Sequence, residues 1–287
     1  MIAFYCQGGL GNQLFQYATA RRLAMRHQEE LVLDPHWFEH PREGETVRPL
    51  ELMKYGIQLR IATAQEQRRW RPLRHRWAPY LGSLLPLLTI RERGVAYNQS
   101  VELAPPDSYL FGFWQSEKYF KDIREDLLRE LQPIAPPSAR DVVVIDQMRE
   151  CTAIGVHVRR GDYVTLNSAA AYHGVCSLDY YQRAITHVAS RVDNPGLFIF
   201  SDDPDWTREN LRTPHRTHYI AHNAPQDAFQ DVRLMSHCRH HVIANSSFSW
   251  WGAWLADAQN QIVVAPEKWF QADRPTPDLL PSHWTRL

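Results

Sequence analysis

The hexapeptide from His157 to Asp162 (HVRRGD) carries the residues best suited to binding an anion. It ends a predicted strand with two consecutive arginines and a glycine turn. Alternation along a strand puts His157 and Arg159 on one face, and ligands of open α/β sheets bind beyond the carboxyl ends of the strands. Arg159 is therefore predicted to clamp a phosphate, with Asp162 as its orienting or acid–base neighbour. The alternative is a surface ion pair between Arg160 and Asp162, worth about 0–1 kcal/mol.

Two further polar turns follow predicted strands in the same half of the chain. Asp202 and Asp203 come after an apolar run, and Asp203-Pro204-Asp205 has the spacing of a divalent-cation motif. Pro204 suits the first position of a helix with an aspartate as its cap, so we predict a cap there and not a metal site. The second turn opens a helix and could bind phosphate through hydroxyl and backbone groups, or simply cap the helix; it contains Asn245, Ser246, Ser247 and Phe248. Three such turns in one domain predict a single cleft.

A glycine-rich turn near the N-terminus is a weaker signal. Gly8, Gly9, Gly11 and Asn12 lie between a predicted strand and a predicted helix, where backbone N–H groups can face an anion. The turn is not a dinucleotide fingerprint, because Leu14 stands where the third glycine belongs, and it has no Lys-Ser/Thr pair of a P-loop. A tight turn without a ligand is the alternative.

Two aspartates could bind a nucleotide, whereas the histidines and cysteines show no predicted binding site. Asp227 and Asp231 lie one helical turn apart and could accept hydrogen bonds from a base edge or a ribose. His237, His240 and His241 cluster in sequence, but they lack the spacing of a metal site, so no metal is predicted. The four cysteines also lack paired spacing, which indicates free thiols in a reducing cytosol.

The composition excludes several classes of function. Lys and Arg number 32 against 32 Asp and Glu, which argues against a broad grip on nucleic acid. Arg makes up all but four of these basic residues, and guanidinium binds phosphate oxygens bidentately, so we expect one local anion site. The ten tryptophans could stack on the faces of sugar rings or pack in the hydrophobic core. The first residues lack the basic and long apolar regions of a signal peptide, and the most apolar stretch, 81–90, is about half of a membrane span. We therefore expect a cytoplasmic protein without a signal peptide or a transmembrane helix.

The order of predicted elements indicates two α/β domains. Residues 1–34 read as strand, glycine turn, helix and strand; 36–106 as helices; 109–113 as a strand; and 116–131 as one helix. Pro133, Pro136 and Pro137 indicate a linker, which divides the chain into domains 1–137 and 138–287. Beyond it, helices alternate with strands at 153–158, 197–200, 218–220, 241–244 and 262–264, the pattern of a doubly wound parallel sheet.

Taken together, these segments resemble the α-1,2-fucosyltransferase family of bacterial surface-polysaccharide pathways and animal blood-group enzymes (glycosyltransferase family 11). The resemblance covers nearly the whole chain in order and spacing, and is weakest over 36–106. It rests on GGLGNQLFQYATARRLA (8–24), WQSEKYF (114–120), HVRRGDYV (157–164), HGVC (173–176) with Tyr180 and Tyr181, FSDD (200–203) and DVRLMSHCRHHVIANSSFSWWGAWL (231–255).

The resemblance implies a GT-B-type fold, in which two Rossmann-like domains face a central cleft, and transfer of L-fucose from GDP-fucose to the 2-hydroxyl of a terminal galactose. It places Arg159 at the β-phosphate, Asn12 near the sugar and phosphate, and Asp231 with Ser246, Ser247 and Phe248 at the nucleotide. It implies no metal and no cofactor beyond the donor.

Some roles stay open at this point. We include His157 and Asp162 with Arg159 as candidate catalytic residues, and Gly9, Gly11, Arg160, Asp202 and Asn245 as candidate donor contacts. The general base and the acceptor residues in 36–106 are undecided. The arginine-rich run 68–76 suggests either a peripheral association with an anionic inner membrane or a solvated face, and we favour the solvated face. A related inverting transferase that uses another GDP-sugar, and a carbohydrate-binding module, are the alternatives.

Overall fold

The computed structural model describes residues 1–40, 48–81, 86–160, 174–271 and 275–287. The chain packs into two compact units, Met1–Ile134 with Thr276–Pro281, and Ala135–Pro275 with Ser282–Leu287. The sequence-based division at residue 137 did not anticipate that a segment near the C-terminus would pack with the first unit.

The first unit is built on a parallel sheet of five strands. Its strands are β1 (Ile2–Tyr5), β2 (Leu31–Asp34), β3 (Arg60–Ile61), β4 (Leu88–Arg91) and β5 (Ser108–Phe111). Its helices are α1 (Leu10–His27), α2 (His36–Glu39), α3 (Ala64–Arg69) and α4 (Arg124–Glu130). Single 3-10 turns cover Leu52–Lys54, Arg71–Arg74, Ala78–Tyr80, Gln99–Leu103, Glu117–Tyr119 and Lys121–Ile123.

The strand order of the first sheet is β3-β2-β1-β5-β4, with every pair parallel. The chain runs outward from β1 to β3 on one side and adds β5 and β4 on the other side. The order therefore reverses between β1 and β5, and ligands of open α/β sheets bind beyond the strand ends at such a switch point. The glycine turn follows β1 and lies at that place.

The second unit contains a parallel sheet of six strands. They are β6 (Thr152–Val158), β7 (Pro195–Ser201), β8 (Arg216–Ile220), β9 (His240–Val242), β10 (Val263–Ala265) and β11 (Thr285–Arg286). The helices are α5 (Ala139–Arg149), α6 (Leu178–Ala189), α7 (Pro204–Asn210), α8 (Ala228–Ser236) and α9 (Ser247–Trp254), with a 3-10 turn at Pro225–Asp227.

The strand order of the second sheet is β11-β10-β9-β6-β7-β8, again with every pair parallel. Here the order reverses between β6 and β9, which are hydrogen-bonded neighbours. The arginine turn follows β6 and the serine turn follows β9, so both lie at the switch point of this sheet. Two units with parallel sheets flanked by helices confirm the predicted α/β class.

Tryptophan fills cores more than surfaces. Trp250 and Trp251 are fully buried, and they pack with Trp254 and Trp284 at ring separations of 5.1–6.0 Å. Trp114 and Trp70 of the first unit are also buried. Trp77, by contrast, is 44% exposed.

Two parts of the predicted secondary structure were wrong. The region 36–106 was expected to be helical, but it also contributes β3 and β4, two edge strands whose short length gives little periodic signal. The predicted helix over 116–131 is broken into two 3-10 turns and α4, because Phe120 adopts φ −149° and is fully buried. Tertiary packing of that side chain outweighs the four-residue periodicity.

None of the helices in the described ranges combines the length and the apolar content needed to cross a bilayer.

Candidate functional site

The two arginines that follow β6 are held by the two aspartates that follow β7. Arg159 Nη1 lies 2.9 Å from Asp202 Oδ2, and the two side chains are only 20% and 24% exposed. The backbone N–H of Arg160 donates to the other oxygen of Asp202 at 2.8 Å. One carboxylate therefore fixes both the turn after β6 and the guanidinium of Arg159. The alternative ion pair between Arg160 and Asp162 cannot be compared, because Gly161 and Asp162 lie outside the described residues.

The second arginine points to a different set of partners. The guanidinium carbon of Arg160 lies 3.4 Å from the ring centroid of Trp206, and its Nε is 3.5 Å from Asp203 Oδ2. Asp203 also accepts from the backbone N–H of Trp206 at 3.3 Å, with Pro204 at the first position of α7. The predicted helix cap at Asp203 is confirmed, and the Asp-Pro-Asp segment is used as a helix start.

His157 links the arginine turn to the serine turn. Its ring lies 5.5 Å from the ring of Phe248 in α9, across the switch point between β6 and β9. His157 is 5% exposed, and burial together with the charge of Arg159 lowers its pKa to about 3. The imidazole is therefore neutral at neutral pH and a weak base. This environment favours a packing and positioning role for His157 over proton transfer.

The serine turn caps α9 and presents its N-terminus at the switch point. The hydroxyl of Ser246 accepts from the backbone N–H of Phe248 at 3.3 Å. Ser247 begins the helix, so its N–H is among the donors that the helix leaves unpaired within itself. The side-chain amide of Asn245 is buried and donates to the carbonyls of Gly174 and Trp269, both at 3.2 Å. Asn245 thus fastens neighbouring loops, a role that the sequence did not indicate.

The glycine turn of the first unit surrounds the predicted donor contact Asn12. Gly8 adopts φ +80°, and a Cβ built on it would lie 2.8 Å from Asn12 Nδ2. Gly9 is the N-cap of α1, and nothing lies within 4 Å of the Cβ it lacks, while Gly11 is buried in the first turn of the helix. Asn12 Oδ1 accepts from Nε2 of Gln115 at 2.8 Å. Gln115 follows β5, the other strand of the switch point.

Asp231 lies in the first turn of α8 within a polar network of the second unit. Asn223 donates through its Nδ2 to Asp231 Oδ1 at 2.8 Å and to Asp141 Oδ1 at 3.3 Å. His222 Nε2 contacts the same oxygen of Asp141 at 2.8 Å. Burial raises the pKa of Asp231 to about 6, although the hydrogen bond from Asn223 opposes this shift. This half-buried carboxylate is well placed to accept a hydrogen bond from a ligand donor.

The histidine cluster has structural partners. His240 Nδ1 accepts from the backbone N–H of Ile262 at 2.9 Å, and His241 contacts the carbonyl of Met235 at 2.8 Å and the side chain of Gln261 at 3.0 Å. Within the described ranges, no three His, Cys, Asp or Glu side chains come together as metal ligands would. The metal-independence of the protein stays a prediction.

Sequence reasoning missed two residues of the site. Trp206 stacks on Arg160, and Gln115 binds Asn12. Gln115 belongs to the WQSEKYF segment, and its position after a strand was the available signal. Trp206 gave none, because a tryptophan in a helix is most often a core residue. The structure does bring together the predicted residues His157, Arg159, Asp202 and Phe248.

Comparison with known proteins agrees with the motifs. The model of glycosyl transferase family 11 matches residues 98–286. The O-antigen biosynthesis glycosyltransferase WbnK of Escherichia coli is 33% identical over 282 residues, covering 92% of this chain and 93% of that protein. An α-1,2-colitosyltransferase of Escherichia coli is 32% identical over 287 residues, covering 98% and 96%. The galactoside 2-α-L-fucosyltransferase SEC1 of Bos taurus is 27% identical over 258 residues, covering 87% and 63%.

Solved structures share the fold at low identity. A variant of Arabidopsis thaliana FUT1 in complex with GDP superposes with a TM-score of 0.52 at 11% identity, covering 97% of this chain and 74% of that chain. The α-1,6-fucosyltransferase NodZ co-crystallised with GDP gives a TM-score of 0.50 at 14% identity, covering 87% and 90%. These likenesses concern the fold alone, and they agree with the predicted GT-B type.

The family match covers well over half of the chain, and two relatives exceed 30% identity across more than nine-tenths of it. This chain therefore belongs to glycosyl transferase family 11, the family of the α-1,2-fucosyltransferases that its motifs resemble, and it is a glycosyltransferase.

Proposed function

We propose that this protein is an inverting α-1,2-fucosyltransferase, which transfers L-fucose from GDP-β-L-fucose to the 2-hydroxyl of a terminal galactose. The observation that carries the proposal is the position of Arg159. Its guanidinium is fixed by Asp202 at the switch point of the second sheet, one strand away from the N-terminus of α9. That combination of a fixed cation and a helix N-terminus suits a diphosphate.

The reaction needs charge stabilisation more than it needs a strong nucleophile. As the bond from the sugar to the β-phosphate breaks, negative charge grows on GDP and positive charge grows on the sugar ring. Arg159 and the N-terminus of α9 stabilise the negative charge where it develops, and they are already oriented before the reaction. The galactose hydroxyl attacks from the face opposite GDP, so the anomeric configuration inverts.

The nucleotide would be read by residues of the second unit. The carboxylate of Asp231, oriented by Asn223, is suited to accept from base or ribose donors. Ser246, Ser247 and Phe248 would lie against the nucleotide, and Asn12 of the glycine turn would contact the sugar and phosphate. His157 is too weak a base to deprotonate the acceptor hydroxyl. Asp162, which lies outside the described residues, stays one candidate for the general base, and a residue outside the motif is the other.

The donor is tested by incubating the protein separately with GDP-fucose, GDP-colitose and GDP-mannose, with lactose as the acceptor. We expect product from GDP-fucose, with an α-1,2 linkage to galactose in the NMR spectrum. The α configuration of that product, from a β-linked donor, reports the inversion. Absence of product from GDP-fucose, with product from one of the other donors, rejects the fucosyl assignment while keeping the transferase mechanism.

The role of Arg159 is tested with Arg159→Ala and Arg159→Lys. Loss of the guanidinium is expected to reduce kcat/KM by about 10²–10³-fold, and lysine should restore little because it cannot make the bidentate contact. Arg183→Ala is a matched control, because that arginine is exposed and paired with Asp179 on the surface of α6. Thermal unfolding of all three variants separates activity from folding. Full activity of Arg159→Ala would overturn the assignment.

Colitose is a second candidate for the transferred sugar. The relative that covers 98% of this chain at 32% identity is an α-1,2-colitosyltransferase, and colitose is fucose without its 3-hydroxyl. The same donor incubation decides between them. A site that hydrogen-bonds the 3-hydroxyl would reject the deoxy sugar strongly, since its buried polar groups would lose their partner.

A glycan-binding module is the alternative from another class. Calorimetry separates it, because such a module would bind galactosides without any affinity for GDP. A glycan-binding function would also give no reason for the fixed Arg159–Asp202 pair at the strand ends.

A further inference from the structure

The segment from Arg68 to Leu81 lies over one face of the first sheet. Trp70 and Leu73 pack in one buried cluster with residues of the sheet such as Tyr109, and Ala78 is buried as well. Arg74 is fixed to the buried carboxylate of Asp34 through two hydrogen bonds of 3.0 Å. The segment is therefore anchored, and its remaining side chains face outward from a rigid support.

The outward side chains combine arginines with large apolar rings. We call them the Arg–Trp patch, and its members are Arg68, Arg69, Arg71, Arg76, Trp77 and Tyr80. Trp77 is 44% exposed and Tyr80 is 76% exposed. The ring of Trp77 is stacked on His75 at 5.1 Å, and the guanidinium of Arg93 lies 6.0 Å from the ring centroid of Tyr80. Trp is highly buried on average, and exposed rings that occur together carry more information than a single exposed residue.

The patch is positively charged although the chain as a whole is neutral. No acidic residue occurs between Gln67 and Leu81 in the sequence. The preceding acid, Glu66, is paired with Arg60 at 2.7 Å and closes the capping box of α3. The four arginines of the patch are exposed, so their charges face solvent.

We propose that the Arg–Trp patch binds the surface of an anionic lipid bilayer. Trp and Tyr favour the interface between headgroups and acyl chains, where an apolar ring and its polar edge are both accommodated. Arginines around them pair with phosphate groups of the lipids, and their attraction adds to the apolar burial. The buried Trp70 and Leu73 keep the patch in shape, so little ordering is required on binding. This proposal is independent of the donor and acceptor proposed above.

The experiment is co-sedimentation of the full chain with phosphatidylcholine vesicles and with mixed phosphatidylcholine–phosphatidylglycerol vesicles. We expect binding to the mixed vesicles, weak binding to the neutral ones, and release as the salt concentration rises. The triple variant Arg68→Gln/Arg71→Gln/Arg76→Gln should weaken binding by about 100-fold, at about a factor of five per arginine. The single variant Trp77→Ala should also bind the mixed vesicles more weakly than the unchanged protein does.

A control triple variant removes the same charge elsewhere. Arg149→Gln/Arg183→Gln/Arg208→Gln changes exposed arginines of the second unit that pair with neighbouring aspartates. It should bind as the unchanged protein does, and Arg68→Lys/Arg71→Lys/Arg76→Lys should keep most of the affinity. Failure of the unchanged protein to bind mixed vesicles would overturn the proposal. Equal loss in the two glutamine triple variants would also overturn it, since it would mean that net charge alone is responsible.

Discussion

Replacing Asp202 by Asn tests whether this carboxylate positions Arg159 or contacts the donor itself. The change removes the negative charge that lies 2.9 Å from Arg159 Nη1, while an amide oxygen can still accept from the backbone N–H of Arg160. If Asp202 is a positioning residue, it has two opposing effects. Its negative charge repels the diphosphate of GDP and weakens binding, while its hydrogen bonds orient the guanidinium of Arg159 for the reaction. The variant should therefore bind GDP more tightly and turn over more slowly.

The size of the effect follows from the geometry. A guanidinium that binds a carboxylate on one edge and a phosphate on another holds the two anions about 5 Å apart. At an effective dielectric constant of 20, the repulsion between the two anions is then about 3 kcal/mol per unit of phosphate charge. Since both side chains are about one-fifth exposed, solvent screens part of this repulsion, and we take about half of it. The Kd of GDP should then fall about tenfold. We expect kcat to fall about tenfold, because Arg159 loses the partner that orients it.

Calorimetry gives the Kd of GDP, and release of GDP during transfer gives kcat. Asp203→Asn is the matched control, because asparagine also caps a helix and Asp203 pairs with Arg160 instead of Arg159. It should change both quantities little. A tenfold or greater weakening of GDP binding in Asp202→Asn, with kcat unchanged, would refute the reasoning and assign Asp202 a direct contact with the nucleotide.

Three further predictions concern stability. Gly8→Ala should lower the free energy of unfolding by about 1–2 kcal/mol, because φ is +80° and a Cβ would lie 2.8 Å from Nδ2 of Asn12. Gly9→Ala should leave the free energy of unfolding nearly unchanged. Equal losses of unfolding free energy for the two variants in urea titrations would contradict this prediction. Asp231 has a folded pKa of about 6 against an ordinary 3.8, so stability falls as pH rises from 4 to 6. Asp231→Asn should remove that dependence and raise stability at pH 8 by on the order of 2 kcal/mol, and an unchanged pH profile in thermal unfolding would be evidence against it. His157 has a pKa of about 3 in the folded protein against 6.5 in the unfolded chain, so protonation of the unfolded chain lowers stability as the pH falls. His157→Phe should reduce the stability lost between pH 7 and 5 by about 2 kcal/mol. If both proteins lose the same stability over that range, His157 is not the cause.

The alternation of elements in the second unit could be read from the sequence. The strands β6 and β7 are apolar on both faces and lie between helices with clear N-caps such as Ser177, so type and order followed from periodicity and turn residues. The edges of the sheets could not be read in this way. β3 and β11 have two residues each, and their pairing depends on the neighbouring strand more than on their own side chains.

The broken helix at 116–131 shows the limit of local periodicity. Tyr119, Ile123 and Leu127 repeat at the spacing of a helix, yet Phe120 leaves helical geometry to become fully buried. Tyr119 also accepts from the backbone N–H of Asn98 at 2.9 Å. Burial and a hydrogen bond to a distant segment outweigh a helical preference of a few tenths of a kcal/mol per residue.

The sequence by itself determined the chemistry at the ends of the strands: a pair of arginines, a serine turn that opens a helix, and a glycine turn, all within a parallel α/β pattern. Which of these meet was decided only by tertiary structure. Asn12 binds Gln115, which is 103 residues away, and Asp202 holds Arg159 because β7 lies beside β6 in register. Side-chain periodicity reports which face of an element is buried, but it does not encode which strands are neighbours. The role of Asp202 as the partner of Arg159 therefore became visible only once the strand order was known.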